Sequence, residues 1–175
     1  MIEILLILFQ FFLIFFLLSF NIFVLNIKNY KAYGFNFFSK NISFNIIIFL
    51  NFILIASFLN IGLNKIIYIY LFYVLILVLI NITKFKSFLY TNKNYFFNST
   101  ILFISSIIIF FEIANNLVLG WDTQRVWVYK ALNFYNGFSI DNLSNLPSPF
   151  YPYLGSLTWA FFWKISISEH EYFGR

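Results

Sequence analysis

With 175 residues, 62% of them hydrophobic and only 10% charged, the chain has too little polar surface to cover a soluble domain, and it reads as an integral membrane protein. The absence of cysteine excludes disulfides and thiolate metal sites, and the single His170 excludes a multi-histidine metal site built from this chain alone. The formal net charge of +5 lies in short stretches between apolar runs, where membrane orientation accounts for it better than a nucleic acid partner does.

A crossing takes about 20 apolar residues for a hydrocarbon core of roughly 30 Å. By that measure the expected spans are Ile2–Leu25, Ile42–Leu63, Ile66–Ile82 and Ser99–Leu119, with a shorter fifth from Pro152 to Ile167. Each is expected to be a helix, because backbone groups in lipid must be satisfied within the segment, and no run alternates with the period of two that marks a membrane barrel. The first run is not a cleaved signal: no basic stretch precedes it, it is too long, and no small-residue cleavage site follows. The expected fold class is therefore an all-α integral membrane protein with about five transmembrane helices and a short interfacial helix in an outer loop. Residues 1–119 form a four-helix transmembrane region, 120–151 a non-cytoplasmic loop, and 152–175 the fifth helix with a cytoplasmic end.

The connecting loops set the orientation. Residues 26–41 carry Lys28, Lys31 and Lys40, and residues 83–98 carry Lys84, Lys86 and Lys93, both without an acid. The turn near Asn60–Lys65 holds one lysine and the N-terminus only Glu3. The positive-inside rule puts both lysine-rich loops in the cytoplasm and the N-terminus outside, so the chain leaves Leu119 on the non-cytoplasmic side. Lys164, near the end of the fifth span, then returns to the cytoplasmic side. The surroundings read as a bacterial inner (plasma) membrane.

The fourth span contains Glu112, about two turns from its outer end. An ionisable group at that depth is a candidate intramembrane polar site, with Asn115 and Asn116 near enough on the helix to share its face; the plainer reading is a protonated or snorkelling carboxyl facing other helices. Asn45 and Asn51 in the second span read as glue between helices.

Charge gathers at GWDTQRVWVYKALNFYN, residues 120–136. Asp122 opens a helix from about Thr123 to Asn136. As an N-cap it accepts a bond from a free backbone N–H, while Trp121 packs on Val126 as a hydrophobic staple. A carboxylate at a membrane surface also suits a general base or a metal ligand, with Arg125 or Lys130 drawing in an anion, and a cap can serve as both. One carboxylate does not make a metal site, so no metal is expected. Val128, Leu132 and Tyr135 form a modest apolar stripe, which suits a helix lying along the interface. Trp121, Trp127, Tyr129, Tyr135, Tyr151, Tyr153 and Trp159 fit an interfacial aromatic belt. Gly137 offers a helix stop, and NLSNLPSPFYP, residues 142–152, is rich in turn signals. The cluster Glu169, His170 and Glu171 reads as a solvated loop across the bilayer from Asp122.

Residues 120–175 resemble the opening of a GT-C glycosyltransferase of the protein O-mannosyltransferase and aminoarabinose-transferase type. The resemblance rests on WDTQRVWVYKA (Trp121–Ala131), on YPYLGSLTWAFF (Tyr151–Phe162) and on SEHEYFGR (Ser168–Arg175), three elements in the family's order. The family often carries a His or an acid shortly before the Y-P element, whereas SPFYP has neither, and its members are much longer, so the chain reads as an N-terminal portion. The resemblance implies transfer of a sugar from a polyprenyl-phosphate-linked donor to an acceptor glycan, lipid or protein on the non-cytoplasmic side, in contact with membrane lipid. It implies Asp122 as the catalytic base, Arg125 and Lys130 as cations for the departing phosphate, and Tyr151 and Pro152 as the cavity wall, with Pro152 as the first residue of a helix. It leaves the cofactor unknown. Two alternatives stand beside it: a non-enzymatic membrane protein, such as a transporter fragment or an assembly subunit with Glu112 on a polar path, and a flippase or ligase handling the same lipid carriers.

Overall fold

A computed structural model describes residues 2–19, 35–91, 93–115, 119–120, 123–167 and 171–174. Among the described residues all regular secondary structure is helical and there is no strand. Four long helices, α1 (Ile2–Ser19), α2 (Phe35–Phe58), α3 (Leu63–Thr91) and α4 (Lys93–Asn115), are followed by a π-helical turn (Thr123–Trp127) that runs straight into α5 (Val128–Tyr135). A 3₁₀ turn (Ile140–Asn145), α6 (Leu154–Ile165) and a last 3₁₀ turn (Glu171–Gly174) complete it. The apolar runs contain no proline and are interrupted by little glycine, so nothing stops a helix until the backbone must turn. The sharp α2–α3 connection forms where expected, with Asn60 at φ 53°, the left-handed region that asparagine tolerates.

Other boundaries differ from expectation. Residues 83–98, expected as a loop, are almost wholly helical, because α3 runs to Thr91 and α4 starts at Lys93. That stretch has lysines and asparagines but no glycine or proline, so its polarity carries no instruction to leave the helix. Lys40 falls within α2, and Lys28 and Lys31 lie outside the described residues. The helix expected from Pro152 begins two residues later, at Leu154. It has 12 residues, about 18 Å at 1.5 Å per residue, which is well short of a hydrocarbon core.

α6 is instead the buried centre of the molecule. Ser156, Leu157, Trp159, Ala160, Phe161 and Phe162 are all covered. Phe161 meets Phe49 of α2 at 5.0 Å and Tyr70 of α3 at 5.7 Å, and the Phe49 and Tyr70 rings lie 5.1 Å apart, all three pairs nearly edge-on. Ile53, Leu63, Ile66 and Leu157 close the same core. α1 packs through Phe11, Phe12 and Phe15 onto Phe103 of α4. The last turn folds back along α6: the Trp159 indole donates to the Glu171 carbonyl at 2.9 Å, Phe173 stacks on Phe110 of α4 at 5.0 Å, and Gly174 approaches Trp159 so closely that no side chain fits. Glu171 therefore sits beside the middle of α6 rather than a bilayer away from its start. Glu169 and His170 lie outside the described residues.

The outward faces remain apolar. On α3, Leu63–Ile80 is long and apolar enough to cross a membrane, and only 28% of that stretch is buried within the molecule. Leu5–Phe15, Ile42–Phe58 and Phe97–Ile113 are shorter apolar stretches of α1, α2 and α4. Of the two asparagines read as glue, Asn45 is fully buried, whereas Asn51 is exposed and bonds its own helix at Ile47 O, 2.8 Å away.

The core makes a direct prediction. Phe49→Ala opens a cavity among three rings and should cost about 3–5 kcal/mol of unfolding free energy in detergent. Phe150→Ala, at a ring that is 99% exposed, should stay within about 0.5 kcal/mol.

Candidate functional site

The segment 123–153 builds a small unit against α6. Its first turn is anchored to the end of the preceding stretch: the Gln124 amide donates to Gly120 O at 3.0 Å and its side chain to Leu119 O at 2.7 Å. The π turn then delivers Val126 inward, and α5 follows without a break. α5 stops as the sequence indicates. Gly137 adopts φ 90°, its amide bonds Phe134 O at 2.9 Å and the Phe138 amide bonds Asn133 O at 3.1 Å, the paired bonds of a Schellman motif. The Gly137 carbonyl in turn lies against Gly62, so the end of α5 rests on the α2–α3 turn.

The face that α5 buries is not the expected Val128–Leu132–Tyr135 stripe. Val126, Lys130, Ala131 and Phe134 are buried, while Leu132 and Tyr135 are only partly covered. Ala131 permits close approach to α6, the Phe134 ring reaches Tyr153 at 6.1 Å, and the Tyr135 ring stacks on Trp163 at 4.3 Å. Lys164 lies over Tyr135 at 4.1 Å, which sets it beside the end of α5 instead of at the far end of a crossing. Hydropathy counts Lys130 as a surface residue. Its four-carbon stem is nevertheless apolar, and burial is tolerable once its single polar end is met.

That polar end is met precisely where the cavity wall was expected. Lys130 is fully buried, and its Nζ donates to the Tyr151 carbonyl at 2.7 Å. The ammonium also stands 5.9 Å from the Trp127 ring and 6.0 Å from the Tyr151 ring, and those two rings face each other edge-on at 6.1 Å. A second tie runs from Ser156 Oγ on α6 to Trp127 O, 3.0 Å. Tyr153 OH and Ser57 Oγ of α2 lie 3.1 Å apart, which secures the approach to α6.

Beside Lys130 opens a cleft of about 500 Å³, lined by Arg125, Val126, Trp127, Tyr129, Pro147, Ser148 and Tyr151. This volume is in the range of small-molecule sites. The structure thus brings Arg125 and Tyr151 together at one opening, with Lys130 buried next to the Trp127 and Tyr151 rings that line it. Pro152 is exposed and does not line it, and neither does Glu112, which is exposed on α4. Trp121 and Asp122 lie outside the described residues. Trp127 and Tyr129, read from sequence as belt aromatics, prove to be walls of the cleft. The signal available for them was their alternation with Arg125. Pro147 and Ser148 were legible only as a turn, in which Ser148 takes φ 54°. Among the described residues no group of three metal-ligating side chains gathers.

The cleft can hold an anion against a guanidinium and pack a ring or an apolar stem against aromatic faces. Burial pushes the Lys130 ammonium below the ordinary lysine value of 10.5. Below that lowered value the folded state carries the full cost of a desolvated charge. Between it and 10.5 the unfolded chain binds more protons than the folded one, so stability rises with pH across that window. Unfolding midpoints measured from pH 7 upward should climb for the native chain relative to Lys130→Met, and a flat difference would refute this. Comparison with protein families, curated proteins and solved structures finds no match to this chain, so the function rests on the chemistry of its own residues.

Proposed function

We propose that this chain is the membrane-embedded portion of a glycosyltransferase that takes a sugar from a polyprenyl-phosphate-linked donor on the non-cytoplasmic face. The observation that carries the proposal is the cleft at Arg125, Trp127, Tyr129 and Tyr151: a guanidinium set among aromatic rings suits a phosphate joined to a sugar and an isoprenoid stem. Membrane residence is supported by the outward apolar faces of α1–α4, with exposed Phe9, Phe44, Phe72, Leu79, Ile104 and Ile108 among them. A soluble chain would bury such helices against one another, whereas most of Leu63–Ile80 faces away from the molecule. Asp122, adjoining the π turn that bears Arg125, is the group proposed to take the acceptor proton. Arg125 is proposed to offset the negative charge left on the carrier phosphate.

A second reading has one observation in its favour. Glu112 is exposed on α4 beside exposed Ile108, Ile109 and Phe111, and a carboxyl in lipid is costly unless it is protonated or covered. An assembly subunit, with Glu112 against a partner, would account for it.

The two readings separate by mutation. As a transferase, membranes carrying Asp122→Asn should lose sugar transfer from a polyprenyl-phosphate donor, and Arg125→Ala should lower it by roughly 10²-fold, with insertion and abundance unchanged in both. Transfer at the parental rate in Asp122→Asn would end its assignment. Glu112→Gln should leave transfer within about threefold of the parent, a difference under 1 kcal/mol. Loss of a co-purifying membrane partner in Glu112→Gln, with Asp122→Asn silent, would favour the assembly subunit.

A further inference from the structure

Between Leu146 and Tyr153, which pack against the core, the loop that forms one wall of the cleft is tied mainly by local backbone bonds. Pro147, Pro149 and Pro152 supply no backbone N–H, and the recorded backbone bonds around them are local: Leu146 to Leu143 O at 3.0 Å and Tyr151 to Ser148 O at 3.2 Å. Ser148 sits in the left-handed region, which a serine adopts only when its surroundings impose it. The opposite wall, the π turn, is fixed independently, by Gln124 at its start and by Ser156 at the Trp127 carbonyl. This wall meets the fixed one through the bond from Lys130 Nζ to Tyr151 O and through the edge-on pair of the Trp127 and Tyr151 rings, and the ammonium lies nearly equidistant from both rings.

We infer that Lys130 is a positioning residue: it does not bind the ligand but clamps Tyr151 against the π turn, and so sets the aperture between the Trp127 and Tyr151 walls. An anion entering the cleft meets Arg125, which is exposed at its lining, and would have to displace Tyr151 to reach Nζ, which is buried. Lysine suits this task because a compact ammonium on a flexible stem can serve one carbonyl while standing between two rings. A bond from a charged donor to a carbonyl in a dry site is worth more than a neutral one, and its loss would free the loop without unseating α5, whose Ala131 and Phe134 remain packed.

The clamp is testable without any ligand, and only the binding arm below rests on the proposed function. Full-length chain and Lys130→Met, both in detergent micelles, are compared by amide hydrogen exchange. The peptide covering 146–153 should exchange about tenfold faster in Lys130→Met, while peptides of α5 and α6 change less than about threefold. Unchanged exchange at 146–153 in a folded variant overturns the inference, and so does equal loss of protection across α5 and α6, which is what a packing role alone would give. If Lys130→Met does not fold, Lys130→Arg decides. A guanidinium that keeps a donor at Tyr151 should preserve loop protection, and a folded arginine variant with a freely exchanging loop overturns the clamp. In the binding arm, farnesyl phosphate is titrated into both proteins, and Lys130→Met should bind about tenfold more weakly. Equal binding beside a loosened loop overturns the claim that the clamp sets the aperture. A native chain that ignores farnesyl phosphate, with the exchange result intact, leaves the clamp standing and removes the prenyl-phosphate reading.

Discussion

Three rings from three helices, Phe49, Tyr70 and Phe161, meet within 5.0–5.7 Å at the centre of the molecule, and the position of every other functional element follows from that contact. Each edge-to-face pair is worth about 0.5–1.5 kcal/mol beyond the area it buries. Through these ring contacts α6 is held against both α2 and α3. α6 then acts as a platform. Ser156 on its first turn fixes the π turn, Trp159 receives the folded-back last turn, and Tyr153 just before it reaches Ser57 of α2. The cleft is a consequence of where α6 is held, two contacts removed from the core.

The two cations of the outer segment divide the electrostatic work. Arg125 and Lys130 are five residues apart, yet one lines the opening and the other is buried beside it. A guanidinium at a surface keeps its charge and offers forked donors to an oxyanion, whereas a buried ammonium must spend its donors on fixed acceptors to be tolerated at all. Sequence position alone cannot separate these roles, because the two residues sit in the same short helical stretch. The separation arises from helical phase: Val126, Lys130 and Phe134 recur at intervals of four and are buried, while Arg125 and Tyr129, likewise four apart and one position earlier, fall on the adjoining exposed face that lines the cleft.

Much of this was legible beforehand, for physical reasons that differ by element. The first four helices follow from uninterrupted apolar runs, and the Asn60–Lys65 turn and the Gly137 stop follow from residues that tolerate positive φ. The helical continuity of residues 83–91 was missed because lysine and asparagine were read as loop signals, although only glycine or proline compels a break. The short reach of α6 was missed because apolar content resembles that of a crossing whether a helix faces lipid or protein. At the cleft, Arg125 was singled out from local chemistry and Tyr151 through the family resemblance, and both line the opening. The burial of Lys130 was not foreseen, since the carbonyl that satisfies it lies 21 residues away and nothing local points to it. Asp122, the residue on which the sequence reading leaned most, lies outside the described residues.

The arrangement of charge along the fold ties the cleft to one end of the bundle. Gly62 in the α2–α3 turn touches the carbonyl of Gly137, and Ser57 meets Tyr153, so the α2–α3 turn, α5 and the start of α6 cluster together. From that end α3 runs 29 residues to Thr91, about 43 Å at helical rise, and α4 starts at Lys93. Lys84 and Lys86 lie in the last turns of α3 and Lys93 at the start of α4, whereas the cleft lies toward the α2–α3 end. A helix of that length exceeds a hydrocarbon core of roughly 30 Å by enough to carry its polar last turns beyond the lipid. The lysine bias that orients membrane proteins and the cleft that would meet a lipid-borne anion thus occupy opposite ends of one helix. On the proposed reading of an outer-leaflet site, that separation keeps the lysines that bias orientation far from Arg125 at the cleft.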